Sequence, residues 1–372
     1  MTEKRQHWVG EVDRPFREGL WTPDQAPGMA CAMIAIDRYY HHISKLGHRA
    51  GDYLLESVAA TVQMGLSASG LVTCCHGGRL LVLKPSPDLV DAWLWVQALR
   101  CKIESLKLRA DCDPMTVTVC IGVAHTARKK VGWPTVRAAV EALTLTRHLG
   151  FNTICTAEMA TVSRQLEEVV VSGARNIEQR RLELLRRLAP RLGPIQCEHL
   201  TNHCERVSDI SVHIARLMNL GSEETQRVRV AGLMHDIGKC VIPEELLGKP
   251  RPLSAKEWQL VAYHEDCGDW IAGKLGLDKI TSSYIRYHHR RYDAHGDTDR
   301  HGISLPRRIP LGAQVLCVAD ALVTMLSKRP YCAARPVGHA LAELRQQRGQ
   351  QFHPDVVDAA LRFESFSKLL AA

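Results

Sequence analysis

RVRVAGLMHDIGK, residues 227–239, is an apolar helical stretch that runs into His235-Asp236, after which Gly238 lets the chain turn before Lys239. Two metal-ligand types adjoin there, and His with carboxylate suits divalent first-row ions such as Mn, Fe or Zn. A lone Asp can also bridge two ions through its two oxygens. One His-Asp pair is weak evidence, so the weight falls on what surrounds it. Downstream stand His264 in VAYHEDCG, the pair His288-His289 in IRYHHRRYD, and Asp320 inside AQVLCVADALVTML. Upstream, His199 and His203 lie one helical turn apart. Taken singly, Asp320 reads as a hydrogen-bonded buried carboxylate and His264 as a partly exposed helix residue. Yet an Asp in an apolar helical stripe costs on the order of several kcal/mol unless it is paired, hydrogen-bonded or metal-bound. Eleven of the 18 histidines lie beyond residue 197, which places the chemistry in that half.

Helical patterns fill that half, over 199–219, 223–236, 255–273, 279–289, 311–327 and 336–348, with no strand pair between them. The segment 293–310, rich in Gly, Pro and Asp, reads as a loop. Before it, 158–192 has few helix breakers and many charges, with Val162, Leu166 and Val169 on one stripe and Leu184, Leu185 and Leu188 on another. This predicts a long linker helix, either a solvated connector or one that transmits a signal or pairs a homodimer. Further upstream, strands over 30–37, 79–83 and 115–124 alternate with helices over 51–64 and 89–106, which predicts an α/β domain over 30–157. The fold class expected is α+β and multidomain: an N-terminal α/β sandwich, a linker helix, and an all-α helical bundle over 193–372. Residues 1–29 match no pattern.

Composition narrows the function classes. The 372 residues suggest two or three domains, and 45% hydrophobic with 24% charged residues is ordinary globular usage. No apolar run approaches the roughly 20 residues that span a bilayer, and the charged, Trp-bearing start lacks the apolar core of a secretory signal. A cytoplasmic protein without a membrane span is expected. Thirteen cysteines with no C-x-x-C pair indicate neither a disulfide framework nor a zinc ribbon. The net charge of +8 suits phosphate-bearing ligands, but without a long basic tract it does not suit bulk nucleic acid.

The order HCERVSDISVHIARLMNLG, AGLMHDIGKCVIPEELLGKPRPLSAKEW, YHEDCGDWI, YHHRRYD, IPLGAQVLCVADALVTMLSKRPY and GQQFHPDVVDAAL closely resembles the HD-GYP family of metal-dependent phosphodiesterases, over about residues 195–365. The resemblance implies a helical HD-domain fold with a two- or three-metal centre, of Fe, Mn or similar divalent ions, that hydrolyses cyclic di-GMP. Carried over by motif, His203, His235, Asp236, His264, His288, His289 and Asp320 fall on metal-ligand positions, with Asp236 the bridging carboxylate. His199, four residues before His203, is a candidate third-metal ligand. Lys239 matches the lysine that lies near the phosphate, and Arg329 sits in the RPY segment that contacts ligand. Arg291 offers a second forked donor to phosphate or guanine. Two ions would hold the phosphodiester and activate a water, so no protein nucleophile is required.

Where the family pattern reads HHExxDGxGYP, this chain reads HHRRYDAHGDT over 288–298. Arg290 replaces Glu, Ala294 replaces Gly, and Asp297-Thr298 replace Tyr-Pro, while Cys332 follows RPY in place of a basic residue. These positions shape ligand recognition rather than metal binding.

The first half resembles a GGDEF domain across residues 31–157, through IAIDRYYHHISKLGHRAGD, CCHGGRLLVL, VTVCIGVA and AVEALTLTRHLGFNTI. Its catalytic positions depart from the pattern. The first strand acid is Ala35, and the signature reads Gly77-Gly78-Arg79-Leu80-Leu81. The guanine-binding Asn is Ile43, although Asp52 remains, and the inhibitory RxxD site would run from Ala68 to Leu71. A degenerate, regulatory domain is therefore expected beside an HD-type phosphodiesterase of a cyclic dinucleotide. The alternatives are a catalytically silent metal- or nucleotide-binding receptor, and a phosphohydrolase of another nucleotide.

Overall fold

Every side chain from Met29 to Ile34 is wholly buried, so the strand carrying them needs cover on both faces. β1 (Met29–Ile36) is accordingly the middle of a five-stranded sheet ordered β2-β3-β1-β6-β7. Its neighbours are β2 (Leu71–Cys75), β3 (Arg79–Pro85), β6 (Val119–Thr126) and β7 (Ile154–Thr156), while β4 (Leu108–Ala110) and β5 (Asp113–Met115) pair apart. β1 runs antiparallel to β3 and β6, β2 antiparallel to β3, and β6 parallel to β7. The computed structural model describes residues 28–66, 70–110, 113–127, 131–293, 309–327 and 334–362. It divides into two compact units, Met1–Ser163 and Arg164–Ala372.

Alternation along β1 builds the first unit. Met29, Cys31 and Met33 share one face with Leu81, Leu83, Cys120 and Ala124, under Val136, Ala139 and Leu143 of the helix Trp133–Leu149. Ala30, Ala32 and Ile34 turn to the opposite face, where the helices His48–Met64 and Leu89–Glu104 bring Leu54, Val58, Val96 and Leu99. The result is the expected α/β sandwich. Between β2 and β3 the chain reverses at Gly77 and Gly78, with φ of 78° and 69°, a conformation that side chains resist. The strand expected over 115–124 is corrected: β6 opens only at Val119, and Met115 belongs to β5.

The second unit is helical, and among its described residues the only β pairing is an isolated bridge between Arg348 and Phe352. Helices Cys204–Leu217, Ser222–Met234 and Leu311–Leu326 pack together and bury Val207, Ile210, Ile214, Val228, Ala231, Leu316, Ala319 and Leu322. The single linker helix expected over 158–192 is two helices, Ala157–Val171 and Ile177–Leu188. Asn176 starts the second by accepting a hydrogen bond from the Gln179 amide, a side-chain cap that charge content and stripes alone did not reveal. The pattern over 199–219 becomes a π turn, His199–His203, followed by Cys204–Leu217. The pattern over 255–273 breaks at Tyr263 into Ala255–Ala262 and His264–Leu275. Beyond Asp293, most of the expected loop lies outside the described residues, as do residues 1–27 and Arg329. Among the described residues no helix is long and apolar enough to cross a membrane.

Candidate metal centre

Five short structural devices deliver the site residues, four at a helix end or a turn and one, carrying Asp320, within a helix. His235 ends the helix Ser222–Met234, and Asp236 leaves helical geometry at φ −101°, ψ 5° to open the tight turn Ile237–Val241. Gly238 is required in that turn, because a Cβ there would stand 2.0 Å from the His264 carbonyl oxygen. The absent side chain thus lets the His235-Asp236 corner close on the start of the helix His264–Leu275. His288 and His289 follow the helix Lys279–Tyr287, whose start Asp278 caps through the amides of Ile280 and Thr281. The π turn His199–His203 stacks its two histidine rings at 4.3 Å and 13°. Asp320 comes from the interior of the largely buried helix Leu311–Leu326.

Three of these histidines are fixed in the same manner. His235 Nδ1 lies 2.8 Å from the Gly232 carbonyl, His264 Nδ1 2.7 Å from that of Val261, and His288 Nδ1 2.6 Å from that of Ile285. A carbonyl only accepts, so Nδ1–H donates in each case, and in the neutral ring Nε2 keeps its lone pair for another partner. All three rings are buried.

Those lone pairs converge on Asp236. Its Oδ1 lies 3.2 Å from His264 Nε2 and 4.0 Å from His288 Nε2. Its Oδ2 lies 3.2 Å from His235 Nε2 and 3.9 Å from His203 Nε2, and it also contacts His199 Nε2. Each oxygen of one carboxylate therefore faces a different group of imidazoles. Asp320 Oδ1 stands 3.1 Å from His203 Nε2, and Oδ2 3.9 Å from His289 Nδ1. The donor atoms fall into three clusters: Asp236, His264, His288 and His289; His199, His203 and Asp236; and His203, His235 and Asp320.

A buried polar atom with no hydrogen bond is costly, and this site holds three, on His203 Nε2, His235 Nε2 and Asp236 Oδ1. They are donor atoms of the clusters, and coordination of a cation would satisfy them. Burial alone would raise the Asp236 carboxyl, yet Lys239 and the flanking histidines hold it well below the ordinary carboxylate range. Burial, then the neighbouring Lys239 ammonium, brings His199 down to about 3. Burial and His289 likewise depress His288. The Asp236 carboxylate in turn holds His235 above the ordinary imidazole range despite burial, so an anionic carboxylate stands beside His199 and His288 held neutral, and a divalent ion would displace the His235 proton on binding. The residues present fit such ions.

Lys239 Nζ donates to Asp236 Oδ2 at 2.7 Å and lies 2.9 Å from His199 Nε2. Arg291 is not gathered into the clusters; its guanidinium forks onto Asp293 at 3.0 and 2.9 Å. Arg290 Nε lies 4.0 Å from the buried Glu265 carboxylate. Sequence reasoning passed over Gln196, whose buried amide donates to the carbonyls of Lys239 at 2.9 Å and Ile242 at 2.6 Å and ties down the turn that carries Lys239. A glutamine acting on backbone 43 residues away leaves no periodic signal.

Comparison with known proteins accords with both halves. Residues 191–356 match the HD domain family, and residues 21–153 match the family described as diguanylate cyclase, GGDEF domain. The cyclic di-GMP phosphodiesterase response regulator RpfG of Xanthomonas campestris is 33% identical over 207 residues, covering 53% of this chain and 52% of that one. A cyclic di-GMP phosphodiesterase of Thermotoga maritima is 31% identical, covering 44% of each. A 3'3'-cGAMP-specific phosphodiesterase of Vibrio cholerae is 29% identical, covering 43% of this chain and 30% of that one. The chain thus spans about half the length or less of these relatives. Among solved structures, the diguanylate cyclase SiaD of Pseudomonas aeruginosa aligns at a TM-score of 0.33 and 23% identity, covering 41% of this chain and 55% of that one.

Proposed function

We propose that this chain, which carries a GGDEF domain followed by an HD domain, is a cytoplasmic metal-dependent phosphodiesterase of cyclic-dinucleotide signalling, with cyclic di-GMP as its first substrate. The observation that carries this reading is Asp236, whose two oxygens address two separate imidazole groups. The residues that would hold two or three divalent ions are His203, His235, Asp236, His264, His288, His289 and Asp320, with His199 at the third position. When bound, such ions supply Lewis acidity toward a phosphoryl oxygen and lower the pKa of an attacking water.

The chain's own groups do the rest. The Nδ1–H bonds of His235, His264 and His288 fix ring orientation before any ligand arrives. Lys239, a donor only, holds the Asp236 charge and can offer a further N–H to a non-bridging phosphate oxygen. Arg291 and Arg329 are assigned to phosphate or guanine, and Arg291 would share its fork with Asp293. In the first half, Ala35 and Arg79 sit directly opposite each other on β1 and β3. Neither offers a carboxylate to Mg2+, so the GGDEF domain, over about 30–157, serves as a regulatory domain rather than a cyclase. Homodimer pairing through 158–192 would use two helices, Ala157–Val171 and Ile177–Leu188, in place of one.

The test is a substrate panel of cyclic di-GMP, 3'3'-cGAMP and the linear dinucleotide, offered to Mn- or Fe(II)-loaded full chain with chromatography of the products. Linear dinucleotide or GMP from cyclic di-GMP supports the reading. Turnover confined to another nucleotide moves the substrate, and a loaded protein with no turnover on any member leaves a silent receptor.

A further inference from the structure

The helix Ile177–Leu188, IEQRRLELLRRL, carries four arginines, of which Arg181 is buried to 3% exposure beside Leu184, Leu185 and Leu188. Its Nη2 donates to the carbonyl of Leu200, and its Nε has no hydrogen-bond partner. Burying a guanidinium is expensive unless it is paired and hydrogen-bonded, and the bond to the Leu200 carbonyl is part of that compensation. Leu200 lies inside the π turn His199–His203, between two of the site histidines. The adjacent Arg180 reaches a second ligand-bearing element: its Nη1 donates at 2.7 Å to the carbonyl of Leu275, the last residue of the helix that His264 begins. Glu178 pairs with Arg229 on a third, the helix Ser222–Met234 that leads into His235.

We infer that Arg181 is a positioning residue for the metal centre, holding the π turn so that His199 and His203 face Asp236, and that Ile177–Leu188 is the element that sets the geometry of the site. This rests on reading the His-Asp cluster as a metal site. A π turn carries a wider, less regular hydrogen-bond ladder than an α-helix, so a donor from outside the turn has more effect there than on an ordinary helix. The helix also directly follows the break at 172–176.

The experiment uses the full chain as Arg181→Met, Arg181→Lys and, as a packing control on the same helix, Leu184→Ala. Three quantities are read: hydrogen exchange of amides 199–203 in metal-free protein, the Mn2+ dissociation constant, and the melting temperature. Arg181→Met is expected to raise exchange at 199–203 and weaken Mn2+ binding by about 10–100-fold, the range for residues that orient metal ligands. Arg181→Lys should recover part of both. Leu184→Ala should lower the melting temperature without either effect. Unchanged exchange and affinity in Arg181→Met overturns the inference, and so does equal weakening in Leu184→Ala at a matched loss of melting temperature. Should Arg181→Met not fold, Arg181→Lys against wild type decides the matter, with an intermediate loss expected and wild-type values overturning. Because none of these readouts needs turnover, a chain that binds Mn2+ yet hydrolyses nothing defeats the proposed function and leaves this inference standing.

Discussion

Ala35 faces Arg79 across β1 and β3, while Asp236 faces His264 with one oxygen and His235 with the other. Both pairs sit in well-packed surroundings, with Ile34 and Leu80 wholly buried in one unit and His235, Asp236 and His288 all but wholly buried in the other. The first unit keeps its sheet with an alanine and an arginine facing each other. The second has kept a set of polar groups that is expensive to bury without a ligand. Packing alternation therefore maintains a fold whatever stands at its polar positions, whereas buried donor atoms without partners mark where a ligand completes the structure.

The two units should part most clearly at Asp236. Asp236→Ala removes the one carboxylate shared by two clusters, and metal analysis should find the loaded chain reduced to a minor fraction of the wild-type ion content. Substitutions at Ala35 should leave that content unchanged. Gly238→Ala comes next, since its Cβ would press on the backbone carbonyl of His264 and displace the corner that carries Asp236. Mn2+ affinity measured by calorimetry should fall by about 10–100-fold.

Much of the site was legible because metal ligands of these types recur at motif spacings, and His203, His235, Asp236, His264, His288, His289 and Asp320 do fall together in space. His199, offered as a candidate, joins them through the π turn. The sandwich was legible from the apolar strand patterns over 30–37, 79–83 and 115–124 that alternate with helical ones over 51–64 and 89–106. What escaped was set by single local contacts: the Asn176 cap that divides the linker, the break at Tyr263, and the short strands β2 and β7 at the sheet edges. Gln196 and Arg181 escaped for a different reason. They act on backbone carbonyls remote in sequence, where the partner's identity leaves no trace.

Two smaller effects separate packing from chemistry. Ile34→Ala in the wholly buried face of β1 should cost about 2–5 kcal/mol in denaturant unfolding of the first unit, with metal content of the second unchanged. Asp278→Ala removes the cap of the helix that presents His288 and should cost about 1 kcal/mol. Burial pushes the Asp278 carboxyl up, but its hydrogen bonds with Thr281 and Ile280 win and lower it. A depressed folded pKa gives stability that is present above the ordinary value of 3.8 and lost as pH falls through the folded value. The stability difference between wild type and Asp278→Ala should therefore shrink below about pH 4.

If the His-Asp centre makes the second unit a phosphodiesterase, Mn-loaded full chain should turn over cyclic di-GMP. Turnover is best measured with ion content determined on the same sample and Asp236→Asn alongside. Product is expected from wild type and none from Asp236→Asn. A wild-type chain carrying its full complement of ions and leaving cyclic di-GMP intact would contradict the assignment.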